Sequence, residues 1–200
     1  MQTEPATSLV LAGVGGQGIL LASEIIARAA MAAGFDVKTN EVHGMAQRGG
    51  SVVAQIRFGP RVYSPLVPAR SARILAALER VEALRYVDLV APDGLAVVSS
   101  QAIVPVTVSS GAARYPDDAE PRLRSAFARL LFLDAASIAL KAGSIRATNV
   151  VVVGAVAADL ALPASAWEES IRASVKEKYL DLNLRAFQLG RDEARRVLGA

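Results

Sequence analysis

The 200-residue chain reads as an α/β protein: a Rossmann-like open sheet, mostly parallel, flanked by helices, with a helical C-terminal extension. Three observations predict this. A short apolar run, Ser8–Ala12, ends in four glycines within Gly13–Gly18, and a helix-periodic stretch follows at once from Ile19 to about Ala33. That order is strand, tight turn, helix. Compact apolar runs then alternate with helix-length segments along the rest of the chain. Hydrophobic residues make up 52% of it, enough to cover a parallel sheet on both faces.

Gly13, Gly15 and Gly18 fit the G-x-G-x-x-G spacing. Glycine allows positive φ in the turn and a close backbone approach to a bound group. Gly16–Gly18 also open a helix, whose unpaired N–H groups and positive dipole end suit an anion. Two roles stand open for these glycines: cradling a ligand, or letting the first helix pack tightly on the sheet. Gln17 is likewise either in contact with ligand or solvated.

Gly34 stops the first helix, and Phe35–Val42 reads as a second strand, with Asp36 near its start and Glu41 near its end. Glu41 is placed where an acid would take ribose hydroxyls in a dinucleotide-binding fold. Val42–Gly50 is a loop carrying His43, Met45, Gln47 and Arg48 among three glycines, a mixture typical of functional loops. Arg48 can grip a carboxylate or phosphate in a bidentate fork, or pair with Glu41 or a partner's acid. His43 can shuttle a proton or serve as a hydrogen-bonded structural residue. Gln47 can orient a neighbour, and Met45 suits packing or an interface.

Ser51–Phe58 alternates and is β-branched, which predicts a third strand. Ser71–Tyr86 has helical period. Pro92-Asp93-Gly94 reads as a turn, Leu95–Ser99 as a strand, and Ala102–Val108 as an edge strand interrupted at Pro105. Ser109–Pro121 is a polar surface loop before a helix at about Ala119–Arg129. Leu130–Asp134 is a strand and Ala135–Ala142 a helix stopped by Gly143. Ala147–Leu162, rich in small residues, is a buried helix ended by Pro163. Asn149 either caps it or sits beside the glycine-rich turn. Ser165 caps the next helix, and Leu180–Leu198 forms the last, arginine-rich one, with Phe187 and Leu189 inward. Residues 1–200 read as a single domain, with the helices from about 164 to 200 packed on it.

Net charge is +3, from 22 basic and 19 acidic residues, with no basic run interleaved with aromatics, so nucleic acid is not an expected partner. There is no cysteine and one histidine, which exclude a thiol nucleophile, thiolate-held iron–sulfur clusters and a multi-histidine metal site within the chain. No metal site is expected. Absence of cysteine fits a cytoplasmic location. The start of the chain does not read as a signal peptide, and Val150–Leu162, interrupted by Asp159, is too short to span a membrane.

The pair of glycine-rich segments, Gly13-Val14-Gly15-Gly16-Gln17-Gly18 and Glu41-Val42-His43-Gly44-Met45-Ala46-Gln47-Arg48-Gly49-Gly50-Ser51-Val52, closely resembles the beta subunit of indolepyruvate:ferredoxin oxidoreductases, in the gamma-domain group of the 2-oxoacid:ferredoxin oxidoreductases. Ala147-Thr148-Asn149 leading into Val153-Gly154-Ala155, and Asn183–Gly190, extend the resemblance over nearly the whole chain. It implies oxidative decarboxylation of an aryl 2-oxoacid with coenzyme A, giving an aryl-acyl-CoA, carbon dioxide and reduced ferredoxin. It also implies that thiamine diphosphate and 4Fe-4S clusters belong to a large partner subunit, in agreement with the missing cysteines. On this reading His43 and Arg48 are accessory catalytic candidates. Gly13, Gly15, Gly16, Gln17, Gly18, Gln47 and Gly49 are the cofactor-binding candidates. Two other functions remain open: a nicotinamide-dinucleotide-binding domain using Glu41, and a structural subunit serving assembly alone.

Overall fold

The computed structural model describes residues 6–43, 49–112 and 114–199. The first glycine-rich turn joins strand β1 (Thr7–Val14) to helix α1 (Ile19–Ala32); β2 (Asp36–His43) and β3 (Ser51–Gly59) follow. Then come β4 (Ala72–Ala77), α2 (Arg80–Leu84), β5 (Val90–Ser99), α3 (Val106–Ser109), α4 (Ala119–Ala126) and β6 (Arg129–Leu133). Four helices complete the described chain: α5 (Ala135–Ala142), α6 (Thr148–Ala157), α7 (Ala164–Ser174) and α8 (Leu180–Leu198).

The six strands form one sheet in the order β2-β3-β1-β4-β5-β6. The pairings β1–β4, β4–β5 and β5–β6 are parallel; β3 runs antiparallel to both of its neighbours, β1 and β2. The sheet is thus mixed and mostly parallel. Successive side chains on a strand point to opposite faces, and here both faces are buried. Leu9, Leu11, Ile74, Ala76, Leu95 and Val97 pack in one layer with α1, α5, α6, α7 and α8. Val10, Ala12, Leu75, Ala77, Ala96 and Val98 pack in the other with Ala83 of α2, Leu123 of α4 and Phe127.

That two-sided burial explains the main correction to the sequence reading. Residues 71–86 are not a helix: Ala72–Ala77 is a central strand, and only Arg80–Leu84 is α-helical. A strand covered on both faces loses the polar alternation that marks a strand, and its period resembles that of a buried helix. Pro92-Asp93-Gly94 is not a free turn either. It lies within β5, where the register shifts between the pairs Ala72–Val90 and Ile74–Leu95. A Cβ on Gly94 would stand 2.7 Å from the Ala72 carbonyl oxygen, so the bulge needs glycine there. Ala102–Val108 is no edge strand; it is irregular chain leading into α3. Ser165 does not cap α7, which starts at Ala164 behind Pro163 without a side-chain cap.

The C-terminal helices are anchored through α6. Gly154 of α6 lies against the backbone of Phe187, and Gly190 of α8 lies against that of Val151, so the two helix backbones touch. Trp167, fully buried on α7, stacks at 5.6 Å from Phe187, and the Ser170 hydroxyl donates to the Ile25 carbonyl at 2.5 Å. Among the described residues no helix is long and apolar enough to cross a membrane.

Candidate functional site

The parallel strands β1, β4 and β5 all end at one edge of the sheet, the edge at which open α/β sheets bind ligands. The two glycine-rich segments meet there. The Gly15 N–H donates to the Gly50 carbonyl at 2.8 Å, and the Gly49 N–H donates to the Gly15 carbonyl at 3.3 Å. Gly16 and Gly18 have φ of 102° and 82°, and Gly49 has 78°, all in the left-handed region. Ser51, just beyond the second segment, donates from its hydroxyl to Glu82 of α2 at 2.5 Å, and Arg85 holds the other oxygen of that carboxylate at 3.1 Å.

The glycines of the turn do different work. A Cβ on Gly13 would fall 2.6 Å from Cδ1 of Ile19 and 2.8 Å from Oε1 of Gln17, so Gly13 serves close packing beneath the turn. Gly18 faces Asn149, whose amide nitrogen donates to the Gly18 carbonyl at 3.1 Å. Asn149 is therefore not the N-cap of α6; that place belongs to Ala147, and the Asn149 side chain links α6 to the turn. Gln17 is turned inward. Its oxygen accepts from the Val14 N–H at 2.7 Å, and its nitrogen donates to the Leu78 carbonyl at 2.7 Å and to Oε1 of Gln101 at 3.1 Å. It fastens together the ends of the three parallel strands. The Gly16 N–H has no hydrogen-bond partner among the described residues.

Between these groups lies a cleft of about 460 Å³. Gly15, Gly16, Gln17 and Gly49 form one wall, Leu78, Gln101 and Ile103 the second, and Ile145, Arg146 and Thr148 the third. Arg146 sits on the single 3-10 turn before α6, where the Ser144 hydroxyl accepts from its backbone N–H at 3.3 Å. Its guanidinium makes no ion pair or hydrogen bond among the described residues. An unpaired guanidinium in the same cleft as the free Gly16 N–H suits a carboxylate or phosphate. Sequence reasoning passed over Arg146. Its only signal is an isolated arginine directly ahead of Ala147-Thr148-Asn149.

The second wall is held from behind by Glu79, only 2% exposed. One of its oxygens accepts from the N–H groups of Val81 and Glu82 at 2.7 and 2.8 Å, capping α2. The other accepts from the Ile103 N–H at 3.3 Å and from the Tyr115 hydroxyl at 2.5 Å. Arg80 lies over the Tyr115 ring at 5.0 Å. Burial, then the hydrogen bond to Glu79, pushes the Tyr115 phenol up to about 12. A raised folded-state pKa gives stability that is complete below the unfolded value of about 10 and is lost as pH rises through about 12. Tyr115→Phe therefore removes a component of alkaline destabilisation between about pH 10 and 12. Parallel urea titrations of the two proteins across that window measure it, and identical slopes count against the assignment.

Of the sequence-predicted residues, Gly15, Gly16, Gln17 and Gly49 border the cleft, whereas Gly13 and Gly18 pack behind it. Gln47 and Arg48 lie outside the described residues, as does the His43 side chain; the His43 backbone ends β2 opposite Val52. Glu41 is exposed on β2, and β3 separates that strand from β1. In a dinucleotide-binding sheet the ribose-binding acid ends the strand beside β1, so this geometry disfavours the nicotinamide reading. Among the described residues no group of three or more His, Cys, Asp and Glu is placed to hold a metal ion.

Comparison with known proteins agrees with this architecture. Indolepyruvate oxidoreductase subunit IorB of Archaeoglobus fulgidus is 46% identical over 191 residues, covering 94% of each chain. The IorB subunit of Thermococcus kodakarensis is 43% identical over 197 residues, covering 96% of this chain and 98% of its own. The crystal structure of a keto/oxoacid ferredoxin oxidoreductase gamma subunit from Geobacter sulfurreducens PCA superposes with a TM-score of 0.71 at 22% identity. The match covers 97% of this chain and 99% of that one, a likeness of fold. Residues 8–193, which include both glycine-rich segments and all three walls of the cleft, match the profile of one family; the chain belongs to the pyruvate ferredoxin/flavodoxin oxidoreductases.

Proposed function

We propose that this chain is the small subunit of a thiamine-diphosphate-dependent 2-oxoacid:ferredoxin oxidoreductase. The complex oxidatively decarboxylates indolepyruvate or another aryl pyruvate to the aryl-acyl-CoA, with ferredoxin as electron acceptor. The indolepyruvate assignment follows the names of the IorB relatives. The observation that carries the role of this chain is the joined pair of glycine segments facing Arg146 across an open cleft.

The residues fit some of the groups such a complex needs and not others. With no cysteine, the chain offers no thiolate for a 4Fe-4S cluster, so the clusters belong to the large subunit. The cleft fits an anionic group: the Gly16 N–H and the Arg146 guanidinium are both without partners among the described residues. Thiamine diphosphate, when bound to the complex, supplies the electron sink for decarboxylation. This chain's part is to bind and orient the carboxylate of the oxoacid or a phosphate of coenzyme A, and to keep water from that side of the site. Arg48, which belongs to the second glycine segment by sequence, is a further candidate for gripping such an anion.

Two measurements test this. The isolated chain shows no 2-oxoacid oxidation, and activity appears on mixing with a large, cysteine-rich subunit; turnover by the isolated chain overturns the subunit assignment. In the reconstituted complex, Arg146→Ala raises KM for the oxoacid or for coenzyme A by about tenfold, the loss expected for one charge-assisted contact. Arg48→Ala acts in the same direction. If both variants retain both KM values, the cleft is architectural and the assembly-only reading takes its place.

A further inference from the structure

A second hollow opens on the other side of Arg146. It measures about 310 Å³, at the lower end of small-molecule sites. Leu21 of α1, Val175 after α7 and Leu182 of α8 give it an apolar floor. Two cations, Arg146 and Lys176, line it, and no carboxylate does. Neither side chain makes an ion pair or hydrogen bond among the described residues. Most of the other polar groups around the hollow are already engaged. The Asn149 amide donates to the Gly18 carbonyl, the Asn183 amide donates to the Tyr179 carbonyl at 2.8 Å, and the Ser144 hydroxyl accepts from Arg146. Ser174 also lines the hollow, but its hydroxyl oxygen is closed off from the open space and has no hydrogen-bond partner among the described residues.

We propose that this hollow is a second small-molecule subsite, one that takes a carboxylate carrying an apolar body. The carboxylate lies between Arg146 and Lys176, and the body covers Leu21, Val175 and Leu182. Each part of the assignment has its own reason. Two unpaired cations, with no acid in the lining of the hollow, set the charge of the guest. The apolar floor sets its body: a bare inorganic anion would leave those side chains in water, whereas a carboxylate with a ring or alkyl group buries them. The subsite consists wholly of residues of this chain, so it stands whether or not the subunit reading above is correct.

The test is calorimetric titration of the full chain with indole-3-acetate, an aryl carboxylate with no oxo group to oxidise. Its neutral analogue indole-3-acetamide and inorganic phosphate are titrated in parallel. Indole-3-acetate binds saturably, and both other probes bind at least about tenfold more weakly. Lys176→Ala, which changes this hollow and not the cleft, weakens indole-3-acetate by about three- to tenfold, and Lys176→Arg restores it. Urea unfolding of Lys176→Ala matches that of the parent chain, so the loss is not one of folding. Equal binding of acid and amide, phosphate binding as tight as indole-3-acetate, or a Lys176→Ala protein that binds like the parent overturns the proposal.

Discussion

Gly154→Ala and Gly190→Ala each destabilise the chain by about 2–4 kcal/mol, the upper range for overpacking a closed core. On propensity alone the sign is opposite: an alanine in a helix interior is favoured over glycine by up to about 1 kcal/mol. The geometry decides between these effects. The added methyl at Gly154 would stand 2.0 Å from the Phe187 carbonyl oxygen, and the one at Gly190 would stand 2.0 Å from the Val151 carbonyl oxygen. These neighbours are backbone atoms inside helices, so no rotamer change relieves the contact. The helices must move apart instead, which loosens Phe187 from Trp167 and opens the layer that covers the sheet. Chemical denaturation of the single variants measures the cost. The double variant is the sharper test. One separation of α6 and α8 accommodates both methyls, so the double variant loses less than the sum of the singles. Strict additivity would show that the two glycines are not relieved by one movement.

This helix crossing was partly legible beforehand, and the reason is physical. Gly154, Ala155, Ala157 and Ala158 crowd small residues into a span that is otherwise valine, a pattern that marks a closely packed helix, although its partner helix cannot be read from it. The glycine-rich turn was legible for a similar reason: its spacing expresses local backbone requirements, met here by positive φ at Gly16 and Gly18. What escaped was non-local. β4 lies between two other strands with both faces covered, so no alternation records it. Arg146 comes to the cleft from a turn far along the chain, and nothing in its neighbours marks it as unpaired. For Asn149 the sequence left open a helix cap and a place beside the glycine-rich turn, and the fold decides for the second, with Gly18 as its partner. Gln17 was weighed as a ligand contact or a solvated group. It proves to be a tie between strand ends, because Leu78 and Gln101 arrive beside it only when β4 and β5 line up with β1.

Glu79 is the clearest case of a residue hidden by a misread element, and its replacement gives the other large effect. Glu79→Ala lowers stability by about 3 kcal/mol or more, since unpaired buried donors cost about 1–3 kcal/mol each and a lost helix cap about 1. Four donors lose their acceptor: the N–H groups of Val81, Glu82 and Ile103, and the Tyr115 hydroxyl. Ile103 is a wall of the cleft, and Gln101 beside it bonds Gln17, so the loss reaches the site as well as the fold. Glu79→Gln separates the two consequences. Its remaining carbonyl oxygen can keep the cap on α2 while its amide nitrogen turns towards Tyr115, whose hydroxyl already accepts from Arg80 Nε at 3.1 Å and can accept a second bond on its other lone pair. The Ile103 N–H is the group left without an acceptor. Glu79→Gln therefore keeps most of the stability, and its Tyr115 titrates below the parent value of about 12, because the hydrogen bond to the carboxylate no longer raises it. In the reconstituted complex it raises KM more than it lowers kcat, as expected when a wall of a binding cleft shifts without a reacting group being removed. Ultraviolet titration of tyrosine, with steady-state kinetics on the same preparation, reads both effects. If Glu79→Gln leaves the tyrosine titration and KM unchanged, Glu79 caps a helix and has no hold on the cleft.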